Sequence, residues 1–244
     1  MKIVLSRKGF DSSSGGGPSP IVDGVPVSLP IPSGGHSSTT WDDLGLADHV
    51  ANASRGKLSG AEHCHHDPMF PDCGTAILGQ CAAAQSHLEN QGVGSGDTFL
   101  FFGLFAGPDG KRHHRIFGWM QIERIEPIEQ MDAVRRNELV ALGFPHAIGM
   151  HAKNDTAWSG PGGLAQSAPD DLRLTVPGGP LSRWRVPSFM RECGLSYHGK
   201  PERWHEDGTL AAAARGQEFV CDAGDRADAR EWLESVLAAC RSAV

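Results

Sequence analysis

The clearest pattern along the chain is the apolar run Thr98–Phe105, TFLFFGLF, followed by a turn containing Asp109-Gly110 and a second aromatic-rich run, RIFGWMQIERI at Arg115–Ile125. Two such runs around an Asp-Gly turn predict an antiparallel hairpin, with Gly94, Gly96 and Asp97 marking where it begins. The first run is apolar throughout rather than alternating, so it should be buried on both faces and sit centrally in a sheet or small barrel. Phe99, Phe101, Phe102, Phe105 and Trp119 are then mainly core residues, and one of them lining a base-stacking pocket is the alternative. Shorter strands are predicted at Lys2–Ser6, Leu172–Val176 and Gln217–Cys221.

Helical spacing recurs elsewhere. Ala229, Trp232, Leu233, Val236, Leu237 and Cys240 form one apolar stripe on a helix from about Asp225, with Asp225 and Asp228 suiting its N-terminal dipole and Arg241 its C-terminal end. A helix from about Glu129 to Leu142 should turn Met131, Val134 and Leu142 inward and stop at Gly143. From Cys73 to Gln91, Ile77, Cys81, Ala84 and Leu88 fall at helical spacing before Gly92. Gln80 and His87 would then share nearly one helix face, with Gln85 pointing elsewhere. A brief helix is expected around Trp41–Val50, capped by Thr39 or Thr40.

Loops separate these elements. After Lys8 comes FDSSSGGGPSP, where Gly15, Gly16 and Gly17 free the backbone to approach an anion and Ser12, Ser13 and Ser14 add hydroxyls. A phosphate or ribose cradle and a plain flexible turn both fit. Pro18 and Pro20 stand where the helix of a nucleotide-binding loop would begin, so the established phosphate-loop patterns do not apply. Residues 21–32 are extended and proline-rich, with Asp23-Gly24 as a turn between short strands.

Composition narrows the class. The chain has 244 residues, enough for one large domain or two small ones, and carries a formal charge of −7. That balance disfavours a broad surface for gripping a nucleic-acid backbone and makes a free nucleotide or other small molecule the easier partner, although nucleic acid stays open. No apolar run approaches the roughly 20 residues needed to span a membrane. A soluble, cytoplasmic protein is expected, with its six cysteines kept as thiols. Cys81 and Cys240 are expected on apolar helix faces.

Candidate chemistry concentrates in Ala61–Gln91, which holds His63, Cys64, His65, His66, Asp67, Cys73 and His87. Pro68 and Pro71 make its first part a loop. Imidazole, thiolate and carboxylate are competent metal ligands, but the spacing suits neither a zinc finger nor a His-Glu-x-x-His helix. Ordinary packing of the cysteines is the alternative. Without a metal, His65 or His66 against Asp67 could perform acid–base chemistry near neutral pH. His146 and His151 are the next histidines to consider, and GLSYHGKPERWHEDG forms a second polar cluster around Tyr197, the chain's single tyrosine.

The stretches MKIVLSRKGFDSSSGGGPSPI, SLPIP, HCHHDP, ILGQ, AAQSHL, GVGSGDTFLFFGLF, FGWMQI, LSYHG and RGQEFV together resemble the nucleotide-modification-associated domain family, third type, from Lys2 to about Leu233. The resemblance implies a role in making modified nucleobases, alongside base-modifying enzymes. His65, Asp67 and Pro68 look like that family's His-x-Asp-Pro element. Met69 and Phe70 depart from the polar character expected after it, which weakens a cysteine-based metal site.

The expectation is therefore a single α+β domain over residues 1–244, with a largely antiparallel sheet that could approach a barrel and at least three packed helices. The expected function is an enzyme acting on a nucleotide or nucleobase. A non-catalytic reader of modified bases and a metal-dependent hydrolase outside nucleotide chemistry are the alternatives. His65, Asp67, His151 and Tyr197 are the candidate catalytic residues. Asp11, Ser12, Ser14, Gly15, Gly16 and Gln80 would bind the ligand, and a divalent metal would fall to His65 and Asp67.

Overall fold

A computed structural model describes every residue except His36, Cys73 and Val244. In chain order the strands and helices begin with β1 (Lys2–Arg7), β2 (Ser19–Val22), β3 (Val25–Pro26), β4 (Ile31–Pro32), α1 (Ala47–Ser54), β5 (Cys64–His65), β6 (Thr75–Gln80) and α2 (Ala82–Asn90). The hairpin β7 (Thr98–Ala106) and β8 (Arg112–Gln121) follows, then β9 (Arg124–Pro127), α3 (Ala133–Ala141), α4 (Pro145–Ile148) and β10 (Thr156–Leu164). The chain continues through β11 (Arg183–Trp184), α5 (Phe189–Glu192), β12 (Leu210–Ala211), β13 (Glu218–Asp222) and α6 (Ala227–Arg241).

The fold is α+β, built on a large mixed sheet in the order β13-β1-β7-β8-β10-β6. Every pairing along that path is antiparallel except β1 with β7. As the uninterrupted apolar run requires, β7 is buried from Thr98 to Phe105. Alternate residues supply two cores, because successive side chains of a strand point to opposite faces. Ile3, Leu5, Leu100 and Phe102 pack with Trp184 and Phe219 on one face, where α6 adds Ala229, Leu233, Val236 and Cys240. Val4, Phe99, Phe101 and Phe105 pack on the other with Leu78, Trp158 and the α2 residue Leu88. Each large side chain so buried contributes about 1.5–3 kcal/mol. The aromatics of the hairpin are thus core residues.

No backbone pairing among the described residues joins β13 to β6, so the sheet does not close into a barrel. The two ends are nevertheless bridged by side chains: the Gln80 amide at the end of β6 donates to the Glu218 carboxylate at the start of β13.

Several sequence expectations shift in detail, among them the brief helix at Trp41–Val50, which starts at Ala47 after Leu46 rather than at a Thr39 or Thr40 cap. The segment after Gly74 is first a strand: β6 pairs with β10 from Thr75↔Pro161 to Gln80↔Thr156, and the helix begins only at Ala82. The helical spacing of Ile77 with Cys81 is overridden by that tertiary pairing. Cys81 becomes the residue just before the helix, and Gln85 is buried, accepting from the Trp158 indole at 3.0 Å. Asp132, whose Oδ1 accepts the Arg135 N–H at 2.9 Å, starts α3 later than expected. The changed phase buries Leu139 and leaves Val134 72% and Leu142 43% exposed. Residues 172–176 form isolated bridges to Arg115 and Trp184 rather than a strand. The Asp23-Gly24 turn joins β2 to β3, with both residues at positive φ as a tight hairpin turn requires.

Candidate active site

At the seam between the two ends of the sheet lies a cavity of about 370 Å³. It is walled by Arg7 at the end of β1 and Lys8 after it, the N-terminal loop (Asp11, Ser13, Ser14), Gly79 and Gln80 at the end of β6 and Cys81 after it, His65 with Asp67, and His146 with His151. The two stretches singled out in the sequence therefore line one cavity.

Lys8 carries its positive charge inward. Its Nζ lies 3.5 Å from Glu218 and 3.9 Å from Asp67, and all three side chains are buried. Asp67 is fixed from the other side, its Oδ1 accepting the Gly79 N–H at 2.7 Å. Glu218 also accepts from the Ser6 hydroxyl at 3.0 Å. Burial holds the Glu218 carboxyl above the usual carboxylate range, a trend Lys8 and Ser6 oppose.

Three imidazoles converge opposite. His65 comes from β5, His146 from α4 and His151 from the loop before β10. Their ring centroids are 5.1 Å (65–146), 5.3 Å (65–151) and 4.3 Å (146–151) apart. Behind them sits Asp155, fully buried. Its Oδ1 accepts from His146 Nδ1 at 2.5 Å and its Oδ2 from the His151 backbone N–H at 2.7 Å. Burial works against ionisation of Asp155, but these hydrogen bonds prevail and hold its pKa low. For His65 burial dominates over the attraction of Asp67, and His146, His151 and Lys8 push the same way as burial, taking its pKa down to about 4. The near-neutral imidazole expected beside Asp67 is thus held neutral at pH 7, as a lone-pair donor rather than an acid.

Gly79 explains how His146 enters. A Cβ at that position would lie inside 3.0 Å of the imidazole, so the absent side chain is what the ring occupies.

The N-terminal loop differs from a bare amide cradle. Asp11 Oδ1 accepts the Ser13 N–H, the Ser13 hydroxyl and the Ser14 N–H at 2.7–2.8 Å, and the Gly16 N–H goes to the Asp11 carbonyl. The loop is closed on itself, and it offers the cavity the side chains of Asp11, Ser13 and Ser14. Ser12, Gly15 and Gly16 are not among the residues lining the cavity. Gln80 lines it with its amide nitrogen committed to Glu218.

Tyr197 stands outside the lining, 49% exposed at φ +65°, with its ring 4.7 Å from that of His87 and against Gly216 at the cavity's edge. His87 bonds Ser196 at 3.0 Å and takes no part in the imidazole group. Cys64 packs with Phe10, Leu29 and Trp41, where burial pushes its thiol up to about 12; Cys73 lies outside the described residues.

Lys8, Glu218, Asp155 and Gly79 escape sequence reasoning, and His146 ranks too low in it. The available signal is that a polar residue follows the buried strand β1 at Lys8 and another ends β6 at Gln80, but only the folded sheet shows that these strand ends meet.

Among the described residues, no helix is long and apolar enough to cross a membrane. No curated protein and no solved structure matches the chain. A family model described as nucleotide modification associated domain 3 matches residues 2–222, nine-tenths of the sequence and every residue that lines the cavity, and the chain belongs to that family.

Proposed function

We propose that the chain is an enzyme acting on a nucleotide or nucleobase in a modification pathway, with this cavity as its active site. The observation that carries the reading is the convergence of a buried cation, a fixed carboxylate and three imidazoles on one polar cavity in a member of a nucleotide-modification family. Its volume falls within the roughly 300–1,000 Å³ typical of small-molecule sites, which suits a nucleoside-sized ligand.

In this reading Asp67, pinned by Gly79, accepts a proton from the substrate or its attacking nucleophile through the oxygen nearer Lys8. Lys8 stabilises negative charge that develops beside it, in a water-poor setting where a preformed charge acts strongly. The neutral imidazole of His65 accepts a hydrogen bond. Ser14 and Ser13 hold ribose or phosphate hydroxyls and oxygens, and Tyr197 at the rim covers the base. Asp11 works indirectly, by holding the loop in shape.

The test is incubation of purified protein with nucleotides, nucleosides and their modified forms, with and without divalent metals, read by mass-resolved chromatography. Turnover that falls at least about 100-fold in Asp67→Asn and in Lys8→Met is expected. No turnover of any of these compounds, with an Asp67→Asn variant that still supports the native pathway, would sink the catalytic reading. Salt-sensitive binding of modified nucleic acid without turnover would point to the reader instead.

A further inference from the structure

The geometry points to a three-histidine site for a divalent transition-metal ion at His65, His146 and His151, backed by Asp155. One nitrogen of each imidazole lies within 4.8 Å of one of the others'. Metal–imidazole bonds of about 2.0–2.1 Å would place tetrahedral nitrogens roughly 3.4 Å apart, so closing the group needs displacements of about 1 Å, within the reach of side-chain rotation.

Two further observations favour a ligand over mere packing. First, His65 and His146 both line the cavity, and among the described residues neither ring nitrogen of His65 nor Nε2 of His146 has a hydrogen-bond partner, which leaves their lone pairs available to a ligand there. Second, Asp155 fixes the tautomer. By accepting from Nδ1 of His146 it leaves Nε2 with the lone pair, and that edge of the ring is the one lying over Gly79 at the cavity wall. A carboxylate behind a ligating imidazole is the arrangement that orients the ring and raises its basicity. The same carboxylate secures the His151 backbone, so a single buried acid sets two of the three ligands.

The donor set selects the ion. Three neutral imidazoles suit zinc, cobalt, nickel, copper or ferrous iron and do not suit magnesium or calcium, which take oxygen. Three protein ligands leave coordination positions open toward the cavity, the pattern of a catalytic rather than a structural site. An ion there would act as a Lewis acid on a bound substrate, in the same cavity as Asp67 and Lys8. The inference does not depend on the substrate being a nucleotide.

The experiment uses full-length protein without a histidine tag, stripped with chelator and titrated with Zn(II) by calorimetry and with Co(II) by visible absorption. One equivalent should bind. His65→Ala, His146→Ala and His151→Ala should each weaken binding by more than about 100-fold, and Asp155→Asn by about 10–100-fold. Exposed His63→Ala, outside the cavity lining, should leave it unchanged, and circular dichroism confirms folding of each variant. His65→Ala is the safest variant because its ring makes no hydrogen bond that folding would lose. Failure of folded wild-type protein to bind either ion stoichiometrically overturns the proposal. Binding that survives all three histidine substitutions does the same, as does a thiolate charge-transfer band, which would assign the metal to Cys81. Metal binding without nucleotide turnover keeps this site and removes the enzymatic reading above; turnover in metal-free protein keeps that reading and removes this site from it.

Discussion

Gly79→Ala is the sharpest single perturbation of the site, because one methyl group competes directly with one ring. Its Cβ would come closer than 3.0 Å to the His146 imidazole, a separation that real Cβ atoms essentially never show. Neither neighbour yields easily. Gly79 is paired with Ala157 inside the β6–β10 ladder, and its N–H holds Asp67. The ring is tied to Asp155 at 2.5 Å and flanked by Phe144 and His151, with centroids 5.5 Å and 4.3 Å away. If the strand gives way, the cost is that of overpacking, about 1–3 kcal/mol. If the ring leaves, the hydrogen bond from His146 Nδ1 to the charged acceptor Asp155 is also lost, adding about 1.5–3 kcal/mol. Urea unfolding should therefore show a loss of about 1–3 kcal/mol by the first route and up to about 6 kcal/mol by the second. Gly94→Ala, whose Cβ meets nothing within 4 Å, is the control and should stay within about 0.5 kcal/mol. Catalysis or metal affinity should fall in the first variant alone. A Gly79→Ala protein as stable and as competent as the control would refute the placement of His146.

Further outcomes follow from neighbouring groups. His114, half-buried against Phe102 and Trp184, has its pKa lowered from 6.5 to about 4, first by desolvation and then by Arg7. The unfolded chain takes up its proton near 6.5 while the folded chain refuses it until about 4, so this stabilisation is complete above 6.5 and lost as pH falls through that window. Its share is at most about 3 kcal/mol, and His114→Gln should flatten the acid limb of a plot of stability against pH; an unchanged limb would contradict the assignment. Lys8→Met should destabilise by about 3–5 kcal/mol because it strands Glu218, and adding Glu218→Gln should recover part of that; strict additivity in the double-mutant cycle would show that the pair does not interact. Asp11→Ala removes the acceptor of three hydrogen bonds and should speed hydrogen exchange at the Ser13 and Ser14 amides by 10-fold or more, corresponding to about 1.4 kcal/mol; unchanged protection would refute the closed loop.

The sequence made the hairpin, β1, β13 and α6 legible because each depends on local pattern: an uninterrupted apolar run for β7, a stripe for α6. It misread β6 because the three apolar residues between Thr75 and Gly79 satisfy both periods, and the choice was made by β10, some eighty residues away. The family's wording and the density of ligands drew attention to His65 and Asp67, and both line the one cavity. Asp155 could not be found the same way. A lone aspartate between Asn154 and Thr156 has no distinguishing neighbours, and its importance comes only from being buried behind two histidines. Lys8 and Glu218 are likewise ordinary in sequence; only a sheet that sets β1 beside β13 makes them a pair.

The Gln80–Glu218 bridge has a kinetic and thermodynamic consequence. The cavity lies where the first, sixth and last strands meet, and the pairs Ser6–Glu218 and Gln80–Glu218 span 212 and 138 residues of chain. Contacts of such separation form late, because their loop-closure entropy must be met before they reward it. Ligand affinity should therefore appear only in the final step of refolding, after the hairpin core is in place. Conversely, whatever binds in the seam ties the two free edges of the sheet together. Its stabilisation, RT ln(1 + [L]/Kd), should register in the global unfolding of β6 and β13 rather than in the stiffening of a loop.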